Sequence, residues 1–309
     1  MRVKNAVFSC LGIGDGLLAL VLSNNLKRSG QEVVTFHPQL KGLQRWFPHT
    51  PVEPFPELET LAEFDRYFIF YEKTPWMQAV LEWCVKEYPH KTVVLNPIAT
   101  KNQDYPYWEN GCFDGRKPLA KNLSFFCKTV LRMSDATQSC GITIPKEYEP
   151  HRFLSRVVIH PTSSKEEKNW PKEKFLRLAD KLRARGFEPL FTLSPQEKGL
   201  WPEVNAPLFS TLDSLAAAVC ESGFFIGNDS GVGHLASACG LPTVTLCPTR
   251  RTGQFWRPSW APGSVLYPPS WVPNLKGLRW RDRYWKNLIS VNRVLNECDR
   301  AVNRRMGSL

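Results

Sequence analysis

Between residues 225 and 236 the chain reads Phe-Ile-Gly-Asn-Asp-Ser-Gly-Val-Gly-His-Leu-Ala. An apolar strand sequence here runs into a polar, glycine-bearing turn that opens a helix. Gly231 and Gly233 remove side chains where the backbone must approach something closely. Free amides at a helix start, aligned with the helix dipole, form an anion site. Ser230 and His234 are four residues apart on one face, so His234 can reach a phosphate held at that N-terminus. Asp229 would repel the same anion, which suits its carboxylate to orienting amides or sugar hydroxyls. A helix capped by Asp229 or Ser230 and carrying an ordinary histidine fits these residues equally well.

A second cluster is Ile159-His160-Pro161-Thr162-Ser163-Ser164, followed by Lys168, Trp170 and Pro171. Small hydroxyl residues after a strand, with a lysine a few positions on, match the needs of a diphosphate. Hydroxyls and amides bond its oxygens while the ammonium supplies charge. A solvated loop capped by Ser163 or Ser164 would use the same residues. No G-x-x-x-x-G-K-[ST] run is present, which disfavours a P-loop nucleotidase. Near the start, Gly12-Ile13-Gly14-Asp15-Gly16 lacks the third-glycine spacing of the dinucleotide fingerprint. What it offers is Asp15, a carboxylate at a strand-to-helix turn; a helix cap worth about 1 kcal/mol would account for it too.

These loops need a frame, and the hydrophobic pattern supplies one. Strands are expected at Lys4–Leu11, Glu32–His37, Arg66–Tyr71 and Thr92–Asn96, with helices at Leu17–Arg28, Trp76–Glu87 and Leu119–Met133. Ser139–Ser155, with two prolines and many charges, reads as a linker. The rhythm then restarts with strands Arg156–His160, Glu188–Leu193, Gly223–Asn228 and Pro242–Cys247. Helices Lys172–Arg185, Leu212–Cys220 and Ser230–Cys239 alternate with them. The Pro-, Trp-, Arg- and Gly-rich segment 250–285 reads as loop, and a closing helix is expected at about Asn287–Asn303. Strands alternating with helices signal parallel sheets covered on both faces, so two doubly wound α/β domains are expected around a central cleft.

Taken together, His160-Pro-Thr-Ser-Ser, Lys168-Asn-Trp-Pro and Gly227-Asn-Asp-Ser-Gly-Val-Gly-His-Leu-Ala-Ser-Ala-Cys-Gly-Leu-Pro-Thr-Val resemble glycosyltransferase family 9. The ADP-heptose:lipopolysaccharide heptosyltransferases are its best-known members. The likeness is strong over about residues 156–249, is supported by Gly14-Asp15, and is weak from 31 to 150. It implies a GT-B fold: an N-terminal acceptor-binding Rossmann-like domain (1–150), a C-terminal nucleotide-sugar-binding one (151–285), and a last helix (286–309) that the family packs back on the first domain. It implies inverting, metal-independent transfer with no cofactor, an ADP-sugar being a co-substrate. Carried over by position, Asp15 is the general base. Ser163, Ser164, Lys168, Ser230, Gly231 and His234 hold the donor diphosphate, while Asp229 and Glu197 serve the nucleotide or sugar. The chain departs from the family at Ser194-Pro195-Gln196, which replaces a glycine-bearing turn. It departs again at Leu246-Cys247-Pro248-Thr249, where the family has Phe-Gly-Pro-Thr. Arg250, Arg251, Trp256, Trp260, Trp271, Trp280 and Trp285 map to nothing in the pattern; core packing under a long loop is the first expectation for the tryptophans, with stacking on sugar rings or a place at a membrane surface as the alternatives.

Composition narrows the partners. The 309 residues carry 40 Lys+Arg against 29 Asp+Glu, a net charge of +11. That excess suits an anionic partner: a phosphorylated substrate, an anionic glycolipid acceptor or the inner face of a bacterial cytoplasmic membrane, held peripherally. No nucleic-acid module is visible, so nucleic acid is not expected as a partner. No apolar stretch reaches the roughly 18 residues a membrane span needs. Met1-Arg2-Val3-Lys4-Asn5 lacks an export signal, pointing to a cytoplasmic protein. Nine cysteines without a C-x-x-C pair fit buried, reduced thiols rather than zinc. Transfer from another nucleotide sugar, or nucleotide-sugar binding without catalysis, are the alternative functions.

Overall fold

The computed structural model describes residues 2–95, 113–275 and 278–306, with side chains described through residue 301. The end of the expected fourth strand (Asn96), the turn-rich stretch after it and Cys112 lie outside the described residues. The chain divides into two compact units, Met1–Pro145 and Lys146–Leu309.

In the first unit the order is β1 (Lys4–Phe8), α1 (Ile13–Arg28), β2 (Glu32–Phe36), β3 (Val52–Glu53), β4 (Arg66–Phe70), α2 (Pro75–Glu87), β5 (Thr92–Leu95) and α3 (Leu119–Thr129). Its five strands are parallel in the order β3-β2-β1-β4-β5. Strands buried on both faces read as continuous apolar runs rather than alternating ones, as in Ala6-Val7-Phe8 and Tyr67-Phe68-Ile69-Phe70. Helix α1 begins at Ile13, four residues ahead of the expected start, and takes Gly14, Asp15 and Gly16 into its first turn. Strand β3 has only two residues, too few to show a period, and was not foreseen.

The second unit runs β6 (Phe153–His160), α4 (Lys172–Arg183), β7 (Glu188–Phe191), α5 (Pro195–Lys198), α6 (Leu212–Cys220), β8 (Ser222–Asn228), α7 (Gly231–Ala238), β9 (Thr243–Leu246), α8 (Arg250–Trp256), β10 (Gly263–Leu266), α9 (Trp280–Leu288) and α10 (Val291–Met306). Its parallel sheet has the order β10-β9-β8-β6-β7. Trp170, Phe175, Ile226, Leu246, Trp285, Val294 and Leu295 belong to one core cluster. The closing helix α10 therefore packs into the core of this unit, and Arg185, just past the end of α4, pairs with Asp299 at 2.8 Å.

Segment 250–285 is not the loop its composition suggests. Thr249 caps α8 by accepting from the Thr252 amide, β10 adds an edge strand to β9, and α9 closes the segment. Proline and arginine hid the short edge strand, and tryptophans on more than one side of α9 hid its helical period. The eight described cysteines are thiols, seven buried and Cys10 half-buried.

Candidate functional site

In a doubly wound sheet, ligands gather beyond the carboxyl ends of strands where successive connections leave in opposite directions. That point falls between β6 and β8 in the second unit and between β1 and β4 in the first. Both clusters singled out by sequence, and Asp15, lie at these two points.

At the β6/β8 point, Asn228 is the staple. Buried at the end of β8, its amide Nδ2 donates to the Pro161 carbonyl at 2.6 Å and its Oδ1 accepts from the Trp170 amide at 3.0 Å. One side chain thus fixes both ends of the 161–170 loop beside α7. Nothing in its type distinguished it from a turn asparagine. Within the loop the Ser163 hydroxyl lies 2.7 Å from Asn169 Oδ1 and 3.0 Å from the Lys165 carbonyl, whereas Ser164 is exposed. Lys168 closes a 3-10 turn at Glu166–Lys168. Trp285 Nε1 and Lys286 Nζ hold the carbonyls of Glu167 and Glu166, at 3.2 and 3.0 Å, from α9.

Across from this loop, Ser230 is the N-cap of α7, yet its side chain makes no cap bond. The hydroxyl capping that the sequence left open for Ser230 is therefore absent. Ser230 Oγ and His234 Nδ1, one turn apart, are buried with no hydrogen-bond partner among the described residues. Leaving such an atom unsatisfied costs about 1–3 kcal/mol, so two together at a helix N-terminus mark a place built to receive polar atoms. Burial pushes His234 down to about 4, against a hydrogen bond to the Trp256 carbonyl. The neutral ring donates there, which leaves Nδ1 as an acceptor. A sugar hydroxyl meets it directly; a phosphate oxygen requires the ring to take up a proton. The Trp260 ring packs edge-on against His234, centroids 5.8 Å apart. Trp256 and Trp260 thus find their place as supports of His234.

Asp229 is pushed up to about 6 by burial, with Lys168 opposing the shift. Its carboxyl is consequently neutral at mildly acid pH and can donate to an anion instead of repelling it, which relieves the repulsion expected from sequence. Gly233 makes the close approach expected of it: a Cβ there would lie 3.0 Å from the Phe225 ring, so its size serves helix-to-strand packing. Among the expected donor residues, Ser163, Ser164, Lys168, Asp229, Ser230, Gly231 and His234 all come to this one point.

Glu197 stands one strand over, on α5. It completes a capping box with Ser194, its Oε2 accepting from the Ser194 amide at 2.7 Å. Burial works to raise its pKa, but bonds from Ser194 and Thr162 and the nearby His160 outweigh that and lower it. His160 itself is held by Thr192 and Thr162, through contacts of 2.7 and 3.2 Å.

In the first unit, Asp15 occupies the first turn of α1 behind the extended N-cap Gly12. A Cβ on Gly12 would come 2.5 Å from Asp15 Oδ2, so the carboxylate folds closely over Gly12 and a side chain there would displace it. His37, buried, accepts from the Gln39 and Leu40 amides through Nδ1 and holds the Gly12 carbonyl through Nε2 at 3.0 Å. Glu72 takes the Leu11 amide at 2.9 Å. Burial first, then the Asp15 and Glu72 charges, drive the Cys10 thiol well above its usual range. Among the described residues no group of three His, Cys, Asp or Glu side chains could hold a metal ion, and no helix is long and apolar enough to cross a membrane.

Comparison with known proteins agrees with this fold. The fold is that of the GT-B-like enzymes: a glycosyl transferase family 9 structure from Veillonella parvula matches with a TM-score of 0.70 at 15% identity, covering 98% of this chain and 97% of that one. E. coli ADP-heptose LPS heptosyltransferase II matches with a TM-score of 0.68, also at 15% identity, over 99% and 100% of the two chains. Residues 136–262 match the model of glycosyltransferase family 9 (heptosyltransferase). Lipopolysaccharide heptosyltransferase 3 of Escherichia coli is 30% identical over 143 residues, 42% of this chain. The match spans 41% of that relative's length.

Proposed function

We propose that the protein is an inverting, metal-independent glycosyltransferase that moves a heptose or similar sugar from an ADP-sugar to a lipopolysaccharide inner-core or related glycan acceptor. The observation that carries the reading is the pair of orphaned polar atoms, Ser230 Oγ and His234 Nδ1, at the start of α7. Lys168, the turn that holds it and Asp229 complete a setting for a diphosphate.

As the sugar leaves, negative charge grows on the β-phosphate. Lys168, the α7 amides and a protonated His234 stabilise it, each strongest where charge develops. Ser163, Ser164, Ser230 and Gly231 hold the oxygens, while Asp229 and Glu197 serve the sugar and nucleotide. Asp15 accepts the proton of the attacking hydroxyl. Attack opposite the leaving group inverts the anomeric carbon. The acceptor's anionic character fits the +11 charge, and the protein works from the cytoplasmic side, bound peripherally.

A panel of ADP-, UDP- and GDP-sugars tests the donor by thermal shift. An ADP-sugar at a hundred times its Kd stabilises the fold by about 2.7 kcal/mol and raises the melting temperature. A rise with UDP- or GDP-sugars alone reassigns the donor. ADP-sugar binding with no transfer to any glycan acceptor turns the reading into nucleotide-sugar binding without catalysis.

A further inference from the structure

Helix α9 has its aromatic residues on two sides. Trp285 turns inward, buried, with Nε1 on the Glu167 carbonyl. Trp280 and Tyr284, one turn apart, share another face and are 52% and 46% exposed. The strap leading into the helix adds Trp271 at 80% and Leu275 at 70% exposed. Hydrogen bonds tie the strap to the helix. Leu275 and Leu278 exchange backbone hydrogen bonds of 3.1 and 2.9 Å. The Arg281 amide holds the Pro273 carbonyl at 3.2 Å, and its guanidinium holds the Ser270 carbonyl at 3.1 Å. Core packing, the expectation for these tryptophans, is met by Trp285 and overturned for Trp271 and Trp280.

Charge names what the patch meets. Arg279 and Arg283 are exposed among the aromatics, Arg283 lying 5.6 Å from the Tyr284 ring centroid. From Arg250 to Leu288 the sequence holds eight Lys and Arg against a single acidic residue, Asp282. A second copy of the chain, docked patch to patch about a two-fold axis, would oppose like charges. An anionic lipid surface would not. Trp and Tyr with apolar bodies and polar tips, flanked by arginines and exposed leucine, are the residues that settle at the boundary of headgroup and acyl chain.

We propose that this face, comprising Trp271, Leu275, Trp280 and Tyr284 with Arg279 and Arg283, docks on an anionic phospholipid bilayer. It deepens the glycolipid-directed reading by assigning its membrane partner to a specific surface. The surface also connects to the site within the same unit, because Trp285 and Lys286 of this helix hold the turn that carries Lys168.

The test uses the full chain and vesicles, with no donor or transfer assay, so it fails or succeeds apart from the proposed activity. The protein should sediment with vesicles of mixed phosphatidylglycerol and phosphatidylcholine and poorly with phosphatidylcholine alone. Added salt should weaken the binding as the Debye length shrinks. The double variant W271S/W280S should lose about ten-fold or more in partitioning while keeping the wild-type melting temperature. R279E/R283E should abolish the preference for anionic vesicles. Failure of the wild type to bind anionic vesicles overturns the proposal, as does equal binding by W271S/W280S. A dimer in solution that W271S/W280S converts to monomer would assign the patch to a second copy instead.

Discussion

The two switch points of the molecule are finished in different ways. At β1/β4 the turn is closed on itself: His37 holds the Gly12 carbonyl, Glu72 holds the Leu11 amide, and the Asp15 carboxylate lies over Gly12. At β6/β8 the loops are stapled by Asn228, but Ser230 Oγ and His234 Nδ1 are left unmatched. One turn is preorganised around a carboxylate, while the other is built with bonds still to be made. A catalytic group gains from being fixed before the substrate arrives, since no reorganisation is then needed in the reaction. A binding site gains from polar atoms that only the ligand satisfies, because water has been kept from them.

That division of labour predicts that the two points fail differently. The largest effect is expected for Asp15→Asn, which keeps shape and removes the base. Transfer should fall by roughly a hundred- to ten-thousand-fold, as for loss of a general base, while ADP binding measured by calorimetry stays within a factor of two or so of wild type. Retained turnover would remove Asp15 from the mechanism. His37→Leu comes next. It strips the ring from the Gly12 carbonyl and from two amides, which should destabilise the protein by about 2–3 kcal/mol in urea unfolding. Because the Asp15 turn loses its brace, kcat should drop with little change in the donor KM. A variant that loses stability but keeps kcat would mean that His37 holds the fold and not the base.

Much of this was readable from residue types alone. The parallel sheets follow from apolar runs broken by helical periods. The donor loops follow from glycines and hydroxyls placed after strands. What escaped was the support. Asn228, His37 and Trp285 act through one or two long-range hydrogen bonds each, between residues 25 to 118 apart in sequence. No local spacing encodes such bonds. Segment 250–285 escaped for a different reason: β10 is an edge strand of four residues with one pairing partner, and α9 carries tryptophans both inward and outward. Gly233 was legible as a position of close approach, and the group approached is the Phe225 ring.

The smallest predicted effect separates the two points by pH. Burial sets Asp229 at about 6 and His234 at about 4, Asp229 beside Lys168 and His234 with its Nδ1 unmatched. A bound diphosphate is anionic, so it favours the protonated form of both groups and raises both pKa values. Below about pH 6 Asp229 already holds its proton in the free protein, and affinity should be flat on its account. Above it, binding must take up a proton, so affinity falls as pH rises, by at most about ten-fold per unit. Asp229→Asn removes that contribution and should flatten the profile measured by calorimetry, leaving the slopes of His234 and of the nucleotide's own phosphates. Parallel profiles for wild type and variant between about pH 5 and 8 would show that Asp229 does not face the diphosphate. The β1/β4 turn provides the control: Asp15→Asn, remote in sequence and in a different unit, should leave the whole binding profile in place while transfer is lost.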